Sequence, residues 1–200
     1  MQPFLTLWTN IRGTTRDVID NRSLGYALIY ISIGGIGSIM SGLLDSELNE
    51  FIPIPLIFIL CVVLGPVLMI IGQFVYAGLA VLFGRMFKGT GSFNDVFKAL
   101  GLGYIPYVFL IPIYTIWMFV DPEGLFYADA TPNIALLIIS IILTIGAVIY
   151  GIIVNIVALS EAHQYSKWRA FVTLAIPGLI LLLIFVVIVV AFLALFVAFL

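Results

Sequence analysis

The chain has 200 residues, of which 9% are charged, and its eight Lys and Arg against ten Asp and Glu give a formal net charge of −2. A soluble domain carries about 25% charged residues, whereas 64% of this chain is hydrophobic, so the composition excludes an ordinary soluble protein. The basic residues are spread over three regions and form no basic stripe, which argues against nucleic-acid binding. A single cysteine, Cys61, excludes an intramolecular disulfide and a cysteine-based metal cluster.

The first 23 residues precede the first long apolar stretch, and their pattern predicts one amphipathic helix. Two locations stay open for this helix: the cytoplasmic membrane interface, or the cytoplasmic ends of a helix bundle. Arg12 and Arg16 lie along one border of the apolar arc. The arc itself consists of Phe4, Leu7, Trp8, Ile11, Val18 and Ile19, and the opposite face of Asn10, Gly13, Asp17 and Asp20.

Charged residues divide the rest of the chain into apolar stretches, because a charge buried in hydrocarbon is costly. A helix needs about 20 residues to cross a bilayer, and stretches of at least that length lie at about 24–44, 52–83, 99–120, 134–159 and 170–200. We therefore predict an all-α fold, a polytopic membrane helix bundle with five transmembrane helices in a single domain over residues 1–200. The second and fifth stretches are longer than one perpendicular span requires, so each is predicted to be tilted, kinked at Gly65-Pro66 or Pro177-Gly178, or re-entrant.

If each apolar stretch crosses the membrane once, the basic residues all fall on one side of it. Residues 1–23, 84–98 and 160–169 then share one side and hold all eight basic residues with four acids, for a sum of +4. The other side, residues 45–51 and 121–133, holds six acids and no base. The positive-inside rule predicts a cytoplasmic amino terminus and a carboxyl terminus outside, although a hairpin in the last stretch would return the carboxyl terminus inside.

Within the predicted spans, small and polar residues stand out. Gly34, Ser38 and Gly42 recur every four residues, a spacing that lets helices approach closely, within one chain or between two copies. Gln73 and Asn155 are the amide side chains well inside apolar stretches, and each is expected to seek a hydrogen-bond partner. They bond each other or the backbone, or they line a solute path.

The loop from Gly84 to Phe93 is the most distinctive polar stretch. Its glycines lack the spacing to Lys and Ser or Thr that a phosphate-binding P-loop has, so they predict a tight turn. Ser92 and Asp95 have capping-box spacing and predict a helix start. The predicted cytoplasmic surface, where a partner could bind, comprises Arg85, Lys88, Gly89, Gly91, Ser92 and Lys98.

Few residues are suited to catalysis or metal binding. His163 and Glu161 are too few ligands for a specific zinc site, and a solvated loop is the preferred interpretation for both. The predicted spans contain no charge and no hydrolase or metalloprotease motif, so we expect no enzyme, no cofactor and no proton relay.

Three patches resemble the Ypt-interacting-protein (Yip) domain family. The strongest runs from Phe83 to Pro112, where a Gly-Thr-Gly-Ser-Phe turn is followed by a helix and by Gly103-Tyr104-Ile105-Pro106. The others are Val18 to Arg22 and Glu161 to Ala170. The resemblance implies a five-span adaptor that organises membrane in vesicle traffic. Eukaryotic members have a long amino-terminal extension and engage small GTPases. Only 23 residues precede the first predicted span here, so this chain is more similar to a compact archaeal or bacterial member.

Two functional hypotheses follow. The preferred one is a non-enzymatic integral membrane scaffold or adaptor that contacts the lipid bilayer and recruits a cytoplasmic protein, with self-association open. The alternative is a permease or channel for a small uncharged solute, using Gln73, Asn155 and broken helices near Pro66 and Pro106.

Overall fold

The structure is a computed structural model that describes residues 2–180. This part of the chain is helical and contains no strand, as the sequence predicts. In chain order the α-helices are α1 (Pro3–Thr6), α2 (Ile11–Asn21), α3 (Leu24–Ser41), α4 (Ile54–Met86), α5 (Phe93–Gly101), α6 (Leu110–Val120), α7 (Pro122–Phe126) and α8 (Ile134–His163). Leu48–Glu50 and Leu102–Phe109 are 3₁₀ helices, and residues 167–180 are helical.

Four helical segments of the described part are long and apolar enough to cross a membrane. They are Leu24–Ser41, Ile54–Met86, Phe93–Val120 and Ile134–His163, and they correspond to the first four predicted spans. The second is one helix of 33 residues that continues through Pro66. The predicted fifth span, residues 170–200, lies largely outside the described residues.

The third segment is the centre of the bundle. Of its most apolar window 61% is buried, against 17% to 39% for the other three segments. It is not the single helix that the sequence predicts, because α5 and α6 are joined by the 3₁₀ helix Leu102–Phe109, called here the 3₁₀ segment. Pro106 within it has no N–H to donate. Helices α3, α4 and α8 pack around this central segment.

Glycines in α3 allow this close packing. A Cβ atom on Gly34 would collide with the backbone of Tyr104, and one on Gly35 would lie 2.9 Å from the carbonyl oxygen of Gly65. The predicted row of small residues therefore divides along its length. Gly34 packs within the chain, Ser38 is half-buried beside a cavity, and Gly42 is exposed at the end of α3.

The amino-terminal segment forms two short helices instead of the one predicted, and they lie at different depths. Arg12, in α2, pairs with Glu161 of α8, whereas the carbonyl of Leu7, just after α1, accepts a 2.8 Å hydrogen bond from the hydroxyl of Tyr150. Eleven residues of helix separate Tyr150 from Glu161, which is about 16 Å at 1.5 Å per residue. Thus the chain just after α1 contacts the apolar part of α8, well before the end of that helix where Glu161 lies.

Aromatic contacts hold the chain just after α1 at this depth. The ring of Trp8 lies 4.7 Å from that of Tyr150 and 5.6 Å from that of Phe109, between ring centroids. The first charged side chain in the sequence is that of Arg12, and the hydroxyls of Thr6 and Thr9 donate to backbone carbonyls, so the side chains of this segment bring little polarity into an apolar setting.

Candidate functional site at the basic end of the bundle

Three segments distant in sequence meet at one end of the bundle. They are α2, the turn and helix start over residues 84–98, and the end of α8 with the residues after it. Together with Arg22, which directly follows α2, these segments hold all eight basic residues, so we call this the basic end. At the opposite end the N–H of Asp45 donates to the carbonyl of Leu125, and that of Glu47 to Phe126. The structure thus gathers the basic residues, together with four acids, at one end and the loops that hold only acids at the other.

Glu161 is the ionic centre of the basic end. Its carboxylate lies 2.6 Å from the Nε of Arg12 and 2.7 Å from the Nε of Arg16, with only 6% of its side chain exposed. The expectation of a solvated loop is wrong here, because α8 continues through Glu161 and α2 covers it. A buried carboxylate needs such partners, since an unpaired one would be costly.

His163 is the second buried polar group, with 1% of its surface exposed, so the solvated-loop expectation is wrong for it as well. Its Nδ1 accepts a 3.1 Å hydrogen bond from the backbone N–H of Gly91. Because that N–H can only donate, the ring proton belongs on Nε2, which lies 3.3 Å from the carbonyl of Ala80. The imidazole is therefore a neutral clamp between α8, α4 and the turn.

Residues 84–91, called here the glycine turn, wrap this imidazole. A Cβ atom on Gly89 would lie 2.5 Å from Nδ1 of His163, and one on Gly91 would lie 2.6 Å from the carbonyl oxygen of Ala162. No described glycine has a positive φ, whereas Lys88 does, at 62°. The glycines are thus required for space around His163 and not for a positive φ.

Ser92 and Lys98 fix α5 to its surroundings. The Oγ of Ser92 accepts from the N–H of Asp95 and donates to its carboxylate at 2.6 Å, as the capping-box spacing predicts. Lys98 differs from its predicted place on the exposed surface, since it is 8% exposed. Its ammonium donates to the carbonyls of Ile19 and Arg22, at the end of α2. Cations favour this end of a helix.

The exposed face of the basic end is cationic and carries one prominent aromatic ring. Trp168 is 70% exposed in the segment after α8. The exposed cations of the basic end are Arg12, Arg16, Arg85, Lys88, Lys167 and Arg169. The face therefore combines positive charge with a rigid foundation.

Residues 5–199 match the Yip1 domain. The chain belongs to the Yip1 domain family. No curated protein and no solved structure matches it. The match and the apolar helices together identify an integral multi-pass membrane protein. Membership of the family does not identify the source organism, so the expectation of an archaeal or bacterial source stays a prediction.

In this Yip1 domain the two amides singled out from the sequence come together at one cavity. Gln73 of α4 and Asn155 of α8 both line a cavity of about 200 Å³ beside the 3₁₀ segment. They do not bond each other: Gln73 donates to the carbonyl of Phe97 at 3.0 Å. The described residues hold no cluster of three or more His, Cys, Asp or Glu side chains that could bind a metal.

Sequence reasoning missed Glu161 and His163 as parts of the site. A signal for both existed, because each follows the apolar stretch of α8 without a turn residue between, and a helix there would carry them into the bundle. Their partners gave no local signal. The guanidinium of Arg16 is 145 residues from Glu161 in sequence, and Gly91 is 72 residues from His163.

Proposed function

We propose that this Yip1-family protein is a non-enzymatic membrane adaptor whose basic end faces the cytoplasm and binds a cytoplasmic protein with an acidic surface. The single observation that carries the proposal is the construction of the basic end. Buried Glu161 and His163 join three distant segments into one face, on which six cations stay exposed.

The rigidity of this face matters to binding. Immobilising mobile side chains and loops upon association costs free energy, so a preformed surface binds more tightly than a flexible one with the same charges. The salt bridges of Glu161, the clamp at His163 and the carbonyl contacts of Lys98 fix the backbone beneath Arg85, Lys88 and the residues after α8. A cationic face also attracts an acidic partner over a distance of about 10 Å at moderate salt.

Site-directed photocrosslinking tests this proposal. A photoreactive amino acid is placed at Lys88 or Lys167, both exposed at the basic end, and at Asp129 as the exposed control at the opposite end. We expect a discrete protein adduct from the first two positions and none from the third. The adduct should weaken as salt rises from 0.05 to 0.5 M, as estimated from the fall in screening length from above 10 Å to a few ångströms.

Charge reversal provides the matched controls. In a chain with the photoreactive group at Lys167, Lys88→Glu together with Arg85→Glu should abolish the adduct, while Asp129→Lys should leave it unchanged. Equal adducts from both ends of the bundle, or an adduct that survives reversal of the basic end, would contradict the adaptor function.

A further inference from the structure

A polar cavity lies in the membrane-spanning part of the bundle, among α3, α4, the 3₁₀ segment and α8. Its volume is about 200 Å³. Its polar lining consists of Ser38, Gln73, Tyr76, Tyr104, Tyr107 and Asn155. The cavity is separate from the surface of the adaptor function, since no residue of the basic end contributes to the lining.

Two hydrogen-bond acceptors in this cavity lack a partner among the described residues. Gln73 is fully buried, and because its Nε2 donates to the carbonyl of Phe97, the orientation of the amide is fixed and Oε1 is the acceptor left over. Oδ1 of Asn155 is buried and is likewise without a partner. Buried acceptors are normally satisfied, so these two oxygens indicate a molecule that supplies donors.

A glycine of the 3₁₀ segment leaves space beside the Asn155 amide, at the edge of the cavity. A Cβ atom on Gly103, in the 3₁₀ segment, would lie 2.8 Å from Cγ of Asn155. The glycine therefore keeps the Asn155 amide in place at the edge of the cavity. A volume of about 200 Å³ is several times the ~30 Å³ that one water occupies in the liquid.

We propose that this cavity binds a small uncharged polyol, whose hydroxyls donate to Oε1 of Gln73 and Oδ1 of Asn155. The lining contains no charged residue that could compensate the desolvation of an ion, which excludes charged ligands. The unmatched acceptors disfavour an apolar ligand. Tyrosine hydroxyls both donate and accept, and their rings pack against C–H groups, so the three tyrosines suit a molecule that alternates hydroxyls with a carbon chain.

Saturation-transfer difference NMR on the purified full chain in deuterated detergent tests the proposal, with glycerol as the probe and 1-propanol as the matched probe with the same carbon count and one hydroxyl. We expect a protein-dependent glycerol signal that exceeds the propanol signal. Gln73→Leu and Asn155→Leu should each weaken glycerol binding at least fivefold, a factor estimated from the loss of one hydrogen bond.

The control is Ser140→Ala, which removes another buried polar group of α8 whose hydroxyl bonds only within its own helix, to Leu137. This variant should bind glycerol like the wild type. If Gln73→Leu fails to fold, Gly103→Ala replaces it, since the added methyl group displaces the Asn155 amide without deleting a polar side chain. The proposal is overturned if glycerol gives no protein-dependent signal, if propanol binds as well as glycerol, or if the folded cavity variants bind glycerol like the wild type.

Discussion

Neutralising Glu161 should lower the free energy of unfolding, by an amount that can be estimated from its two ion pairs. Glu161→Gln keeps the shape of the side chain but removes the charge that two guanidinium groups share at 2.6 and 2.7 Å. Those arginine side chains are 64% and 57% exposed, so solvent screens each pair, and each contributes about 0.5–1 kcal/mol. We therefore expect a loss of about 1–2 kcal/mol in the free energy of unfolding.

Replacing the two arginines, singly and together, shows whether they stabilise Glu161 as one coupled network or as two independent ion pairs. Arg12→Ala or Arg16→Ala alone leaves Glu161 with one partner and should cost less than about 1 kcal/mol. The double variant leaves a carboxylate that is 6% exposed without a described cation, and should cost about 2–3 kcal/mol, more than the sum of the single losses.

The measurement is chemical unfolding in detergent, followed for all four variants under one set of conditions. Hydrogen exchange of the α2 backbone amides reports whether the loss is local, and exchange should rise in α2 before it rises in α4. The reasoning is refuted if Glu161→Gln is as stable as the wild type, or if the losses in the two single arginine variants add up to that of the double variant.

Three further predictions rest on packing. Gly34→Leu should unfold the bundle or lower its thermal stability strongly in detergent, whereas Gly42→Leu should be tolerated, because the first residue meets the Tyr104 backbone and the second is exposed; equal effects would show that close packing is not what sets the difference. Lys98→Met retains the buried aliphatic stem but loses two bonds to carbonyls, and should cost about 1–3 kcal/mol in chemical unfolding, against less than about 0.5 kcal/mol for exposed Lys88→Met. In a variant whose other two tryptophans are phenylalanine, lipids brominated near the middle of the acyl chain should quench Trp8 more than lipids brominated near the headgroup; the opposite order would place α1 at the interface.

Much of the fold follows from the sequence because its determinants are local. Gaps between charges locate the first four spans, and the capping of α5 depends on Ser92 and Asp95, which are three residues apart. The split of the third span into α5, the 3₁₀ segment and α6 is less accessible. Gly103 and Pro106 indicate a weak point, but only the packing of α3 and α8 determines how the backbone continues there.

The candidate site was predicted less completely, because hydropathy gives the polarity of a residue but not its partner. Glu161 and Lys98 are charged and were placed in solvent, yet each is buried against a segment that lies far away in the sequence. The depth of α1 was missed for the opposite reason. No side chain before Arg12 is charged, but the segment is shorter than a span and was grouped with the arginines that follow it.

The docking of α1 and α2 against α8 also sets an order for biosynthesis. The guanidinium of Arg16 meets Glu161 only after 145 further residues have been made, and at 5–20 residues per second this takes about 7–30 s. During that interval the first helices can have no contact with α8, while α3 and α4 are already able to pair. The amino-terminal helices therefore reach their final positions late, after the ribosome has delivered the last turns of α8, and their docking marks a bundle that is nearly complete.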